Sequence, residues 1–340
     1  MKLMSENKNR SIELDLFKIL LVIGMVAAHV FQLLYNGEGE SMVINCFSIY
    51  INAITFSGFL FCFGCATQLA YLRRLKDSLL AHKLIKNGVR LLIAFYISGI
   101  AYSAFVCQSL SIKETVKILL LWSIPGYSEF LLSFAMLMPL VWFLYRPFNA
   151  ICSNKVNMGG VILLSLFSTF LPYKYVKIPL LGVLVGSTKF ACFPLLQYSM
   201  FFLFGIFFCK QGMKMTNKIL LLSFMLTGTS FAYIIFHHSI PNRFPPTCFW
   251  ILLPCASLAV YWKFLSIVKN LSFFNRHKKQ IGIYGSNMLD YLVLSNVLIF
   301  LARFIYGHNL NVSLCLMMIV FILVSCICYT YIKLKLWQNQ

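Results

Sequence analysis

His29 can take and give a proton near neutral pH, and it shares the first apolar stretch of the chain with two opposite charges. The run LDLFKILLVIGMVAAHV carries Asp15, Lys18 and His29. At about 100° per residue, eleven steps from Lys18 bring a helix back to within about 20° at His29, and fourteen steps from Asp15 to within about 40°. All three share one face. A charge near the middle of a bilayer is costly unless it is paired or hydrated, so each is a functional candidate by position alone. Their separation assigns them different tasks, because a rise of about 1.5 Å per residue puts Lys18 and His29 roughly 16 Å apart. A blander reading of the first two is an i, i+3 pair at the membrane surface with Lys18 snorkelling. His29 lies deeper and has no sequence neighbour to satisfy it.

Two further acids stand inside or beside apolar stretches. Glu129, in YSEFLLSFAML, has no base near it in sequence. It reads as a partner for His29, as a group that orients a hydroxyl, or as an interfacial carboxylate in water. Asp290, in IGIYGSNMLDYLVLSN, leaves that stretch unusually polar; it needs a basic partner on another helix or a place along a polar path. Arg73, Arg74 and Arg90 stand at the ends of consecutive apolar stretches. There they serve either as phosphate ligands or as topology signals. HHSIPNRFPP supplies His237, His238 and Arg243. The adjacent His pair diverges and no ligand follows at metal spacing, so no metal is expected; Arg243 has the chemistry for an anion but reads as an exposed loop charge.

These side chains must be positioned by helices. The chain has 340 residues, 60% of them hydrophobic and 11% charged, where a soluble domain carries about 25% charged residues. Apolar stretches long enough to cross about 30 Å of hydrocarbon recur throughout. We read about ten of them, at 14–35, 54–72, 89–107, 130–145, 158–171, 194–209, 219–236, 249–267, 281–301 and 312–332, with 118–124 as an interfacial or re-entrant piece. The expectation is an all-α, polytopic transmembrane bundle forming one domain over 1–340, whose first stretch stays in place as a helix. The formal charge of +20 is spread among the loops, which argues against nucleic acid and for membrane topology. With both termini cytoplasmic, only seven of the 29 basic residues fall outside, the positive-inside pattern. Cys62, Cys192, Cys255, Cys315, Cys326 and Cys328 lack metal spacing and read as small packing residues. There is no P-loop, GxGxxG or GxSxG, which removes ATPase, dinucleotide and serine-hydrolase readings.

The run from Arg10 through LDLFKILLVIGMVAAH resembles the first helix of the membrane acyltransferase-3 family, the O-acetyltransferases of bacterial surface glycans. That family's signature is a basic residue, ten residues, then His, which Lys18 and His29 match. The helix is also similar to that of the heparan-α-glucosaminide N-acetyltransferases. In order along the chain, TFSGFLFCFGCATQL resembles the second family helix and KNGVRLLIAFY the basic start of the third, with Arg90 on a family arginine. YSEFLLSFAML resembles the beginning of the fourth, with Glu129 on a family acid. Family members commonly carry Arg where Lys18 stands, and a late His where this chain has Leu294, Ser295 and Asn296. The resemblance implies a multi-pass enzyme of the cell (inner) membrane, surrounded by lipid, that moves an acyl group from acetyl-CoA or another acyl-CoA to a glycan or lipid-linked saccharide. It implies catalytic roles for His29 and Glu129, which Asp15 joins by its place on the His29 face, and donor binding by Lys18 and Arg90, which Arg73 and Arg74 join by their position at the ends of the spans. The rival expectation is a secondary transporter or channel with Asp15, His29, Glu129 and Asp290 along its path.

The charge asymmetry makes a topological prediction. A reporter cysteine at Asn242, in a background without the native cysteines, should react with an impermeant reagent from the non-cytoplasmic side; labelling from the cytoplasm alone would reverse the orientation.

Overall fold

α1 (Ile12–Leu34) begins where the Ser11 hydroxyl accepts from the Leu14 N–H at 3.3 Å, and Glu13 and Asp15 occupy its first turn. A capped first turn carrying acids suits the positive end of the helix dipole. The computed structural model describes residues 11–35, 42–72, 79–306 and 314–337, and those residues form helices and connecting turns without strands. After α1 come α2 (Met42–Ala70) and α3 (Leu79–Ala101), which runs into a π-helical turn at Tyr102–Val106. Then follow the short α4 (Ile112–Leu119), α5 (Glu129–Phe143), α6 (Tyr145–Ile151), α7 (Lys155–Phe167), α8 (Pro179–Val185) and α9 (Leu195–Lys210). The chain continues through α10 (Asn217–His237), α11 (Cys248–Leu252), α12 (Cys255–Val268), α13 (Ser272–Arg276), α14 (Lys278–Ser286), α15 (Met288–Tyr306) and α16 (Leu314–Trp337).

Seven helical stretches among the described residues are long and apolar enough to cross a membrane, or eight if α5 and α6, bent by 85° at their junction, make one span. The chain is thus a multi-pass membrane protein, and among the described residues fewer helices have spanning length than the ten stretches read from its sequence. The stretches at 158–171 and 194–209 do lie on apolar helices, but α7 has 13 residues and α9 has 16. At 1.5 Å per residue even α9 covers only about 24 Å, short of the hydrocarbon thickness. The stretch at 281–301 is divided at Asn287, whose amide donates to the Ile283 carbonyl at 2.9 Å and closes α14 before α15 begins.

α1 stands between two apolar clusters. Phe17, Leu21, Met25 and Ala28 pack with α2, α5, α9 and α12, whereas Val22, Val26 and Val30 pack with Ile299, Phe300, Met317 and Val324 of α15 and α16. Trp262 anchors the first cluster, with ring centroids 6.0 Å from Phe17, 5.5 Å from Phe61 and 5.2 Å from Phe208 in edge-on contacts of the kind aromatic quadrupoles favour. Cys62, Cys192 and Cys328 are buried, as packing residues should be, but Cys315 and Cys326 stand exposed on α16.

α2 and α9 approach each other closely at two glycines. A Cβ on Gly64 would lie 2.0 Å from the Phe202 carbonyl oxygen, and one on Gly205 would lie 2.3 Å from the Phe61 carbonyl oxygen. Backbone meets backbone, and the Cys65 thiol donates to the Gly205 carbonyl at 3.3 Å; small residues allow this contact where the solvent is lipid. Gly64→Ala and Gly205→Ala should each lower stability by about 1–3 kcal/mol through overpacking. Gly159→Ala, where nothing lies within 4 Å, should be neutral; thermal unfolding of the purified variants checks both.

Candidate functional site

His29 is buried in α1, and its Nδ1 lies 2.9 Å from Oδ1 of Asn296 on α15. The Asn296 amide nitrogen donates to the Ser98 hydroxyl of α3 at 3.1 Å and to the Tyr127 carbonyl at 3.3 Å. A carbonyl only accepts, so the Tyr127 contact fixes which end of the Asn296 amide is nitrogen. The oxygen then faces His29, and Nδ1 must carry the proton. Nε2 is left with its lone pair and no hydrogen-bond partner among the described residues, the state required of a general base. The Tyr127 ring meets the imidazole edge-on at 4.8 Å and 89°. Its backbone has φ of 60°, a left-handed conformation that costs a non-glycine residue energy and marks a segment held by its surroundings.

His29 lines a cavity of about 180 Å³ together with Gln32, Asn52, Thr55, Phe56, Tyr127, Glu129, Phe193 and Arg243, and Phe59 and Phe130 also line it. Glu129 opens α5 and is 6% exposed, and its Oε2 is buried without a hydrogen-bond partner. Arg243 enters from the connection between α10 and α11. Its guanidinium carbon lies 5.1 Å from the ring centre of Phe193 and 4.6 Å from that of Phe244, and its Nε is buried without a partner. A second cavity, also about 180 Å³, is lined by Lys18, Val22, Cys62, Phe63, Leu91 and Leu292, and again by Phe59 and Phe130. The two cavities therefore share two lining residues.

His29 and Glu129 are brought to one cavity; Asp15 is not. Fourteen residues along a helix separate Asp15 from His29, about 21 Å, and Asp15 packs where a Cβ on Gly285 would come within 2.5 Å of its Oδ1. Lys18 lies 3.9 Å from Asp15 and faces the second cavity, so the i, i+3 pair and the cavity-facing cation are both present. Arg90 is engaged elsewhere, with Nη2 at 2.5 Å from Asp290 Oδ1 while Lys335 holds Oδ2. That pairing binds α3, α15 and α16 together. Arg73 and Arg74 lie outside the described residues. The reading of Arg243 as an exposed loop charge is overturned, since prolines and phenylalanines around it turn the side chain inward. Its signal in the sequence was a lone Arg amid PNRFPP. Asn296 was legible only as an amide in an apolar run, LVLSNVLIF, where an amide must find a partner.

No family model, no curated protein and no solved structure matches this chain.

The tautomer assignment can be tested directly. Nitrogen NMR of labelled protein should show His29 protonated on Nδ1 alone in its neutral form, and Asn296→Leu, which removes the acceptor, should show both tautomers. A parent spectrum with the proton on Nε2 would refute the assignment.

Proposed function

We propose that this chain is a membrane acyltransferase that passes an acyl group, acetyl in the simplest case, from acyl-CoA to a hydroxyl or amine of a glycan or lipid-linked saccharide. One observation supports the reading: two cavities share Phe59 and Phe130 in their linings, one bearing Lys18 and the other an imidazole whose Nε2 has no hydrogen-bond partner among the described residues. A slender acyl-bearing arm fits such cavities better than a bulky solute does. The Lys18 end would face the cytoplasm, where the positive-inside pattern puts it, and Lys18 would attract the anionic donor. Arg73 and Arg74 remain candidates for its phosphates.

The chemistry follows from the base. Nε2 of His29 removes the proton of the acceptor hydroxyl as its oxygen forms a bond to the thioester carbonyl carbon. The carbon–sulfur bond then breaks, and the proton on His29 passes to the departing thiolate. Asn296 holds the ring in the required tautomer, as a neutral counterpart of the acid in a hydrolytic triad. Transport is the competing reading, favoured by the same two cavities and by the breaks between α5 and α6 and between α14 and α15, since interrupted helices line substrate sites in many transporters.

Release of CoA thiol from acetyl-CoA in the presence of glycan acceptors separates the two readings. His29→Gln keeps hydrogen-bonding capacity but cannot titrate near neutral pH. It should fold like the parent and lower kcat by about 10²-fold or more. Near-parental acyl transfer by a well-folded His29→Gln protein would remove His29 from the chemistry, and solute uptake by vesicles lacking any acyl donor would favour transport.

A further inference from the structure

We infer that the cavity beside His29 takes an anionic, hydroxyl-bearing ligand, a sugar carrying a carboxylate or a phosphate, with Arg243 binding the anionic oxygen and Glu129 accepting from a hydroxyl. This names the acceptor class within the acyltransferase reading and rests on that reading for its role, though not for the binding itself.

The argument begins with how this chain treats its acids. Glu13, Asp15, Glu114 and Asp290 each have a Lys or Arg nitrogen within 4.0 Å. Glu129 has no such ion pair among the described residues, although Arg243 lines the same cavity. The two charges are held apart, with a buried Oε2 on one side and a buried Nε on the other, neither with a hydrogen-bond partner. Buried polar atoms are rarely left in that state. A single ligand that donates to the first and accepts from the second satisfies both.

Charge and shape narrow the ligand. Arg243 is the only cation lining the cavity among the described residues, and much of its surroundings is the hydrocarbon of Phe193 and Phe244. A guanidinium so placed is poorly hydrated, and its N–H edge matches carboxylate or phosphate oxygens. A bare anion would meet the Glu129 carboxylate unfavourably, so the ligand must also present an O–H there. Gln32, Asn52 and Thr55 add uncharged partners, and Phe56 and Phe193 offer faces to C–H groups. A sugar acid or sugar phosphate has all of these features, and it would carry a further hydroxyl for Nε2 of His29.

Binding can be measured on the purified full-length chain in lipid nanodiscs with no acyl donor present, so that a failure of acyl transfer and a failure of this proposal remain distinct. Glucuronate, its uncharged methyl ester, glucose phosphate and glucose are compared by calorimetry. At least one charged sugar should bind about tenfold or more tightly than the ester and glucose, and the carboxylate and phosphate arms tell which anion is preferred. The preference should vanish in Arg243→Gln. In Arg243→Lys, which keeps the charge but loses the fork, it should fall several-fold, and this variant decides the matter if Arg243→Gln does not fold. Equal binding of acid and ester, or a preference unchanged by substitution at Arg243, would overturn the proposal, the second by assigning the preference to the basic loops.

Discussion

Hydrocarbon offers no hydrogen bonds, so a polar group this bundle carries into the membrane is costly unless it finds a partner within the protein. His29 shows how far that requirement reaches. Satisfying one imidazole nitrogen takes Asn296 of α15, and satisfying Asn296 takes Ser98 of α3 and the Tyr127 carbonyl before α5. Four parts of the chain meet at one side chain. Towards the Lys18 end the same requirement is met by charge, with Glu13 of α1 paired to Lys269 beyond α12, and Asp290 of α15 held by Arg90 of α3 and Lys335 of α16. Polar contacts thus tie helices at both ends, while the packing between them is apolar and non-directional.

Not every buried polar atom is answered, and two that are not belong to residues lining the cavity beside His29. Glu129 Oε2 and Arg243 Nε lack hydrogen-bond partners there, Tyr127 holds a left-handed backbone conformation, and the π-helical turn at Tyr102–Val106 places the Tyr102 ring 5.6 Å from that of Tyr127. Backbone strain, π turns and unmet polar atoms each gather at functional sites. The surrounding packing holds them. Tyr127 lies against Phe300 at 6.0 Å and His29 at 4.8 Å, so the strained turn is braced by α15 and α1.

Phe59 and Phe130 matter for a different reason. They belong to the linings of both cavities, so the space on the Lys18 side and the space on the His29 side share two aromatic residues. Side chains can change rotamer without unfolding a helix.

Composition alone determined that lipid is the solvent, because 60% hydrophobic and 11% charged residues cannot be reconciled with a water-facing surface. Periodicity then put Asp15, Lys18 and His29 on one face, and the cost of burying an acid required a basic partner for Asp290; both follow from local geometry and desolvation, which a sequence carries. What it could not carry was which helix supplies each partner. Asn296 lies 267 residues from His29, Arg90 of α3 pairs with Asp290 of α15, and Arg243 lies against Phe193 and Phe244. Helix length was decided in the same way, since turns stop α7 and α9 at 13 and 16 residues, short of the hydrocarbon thickness. Helix faces are set by residues a few places apart, but a buried polar atom finds its partner only in the assembled bundle.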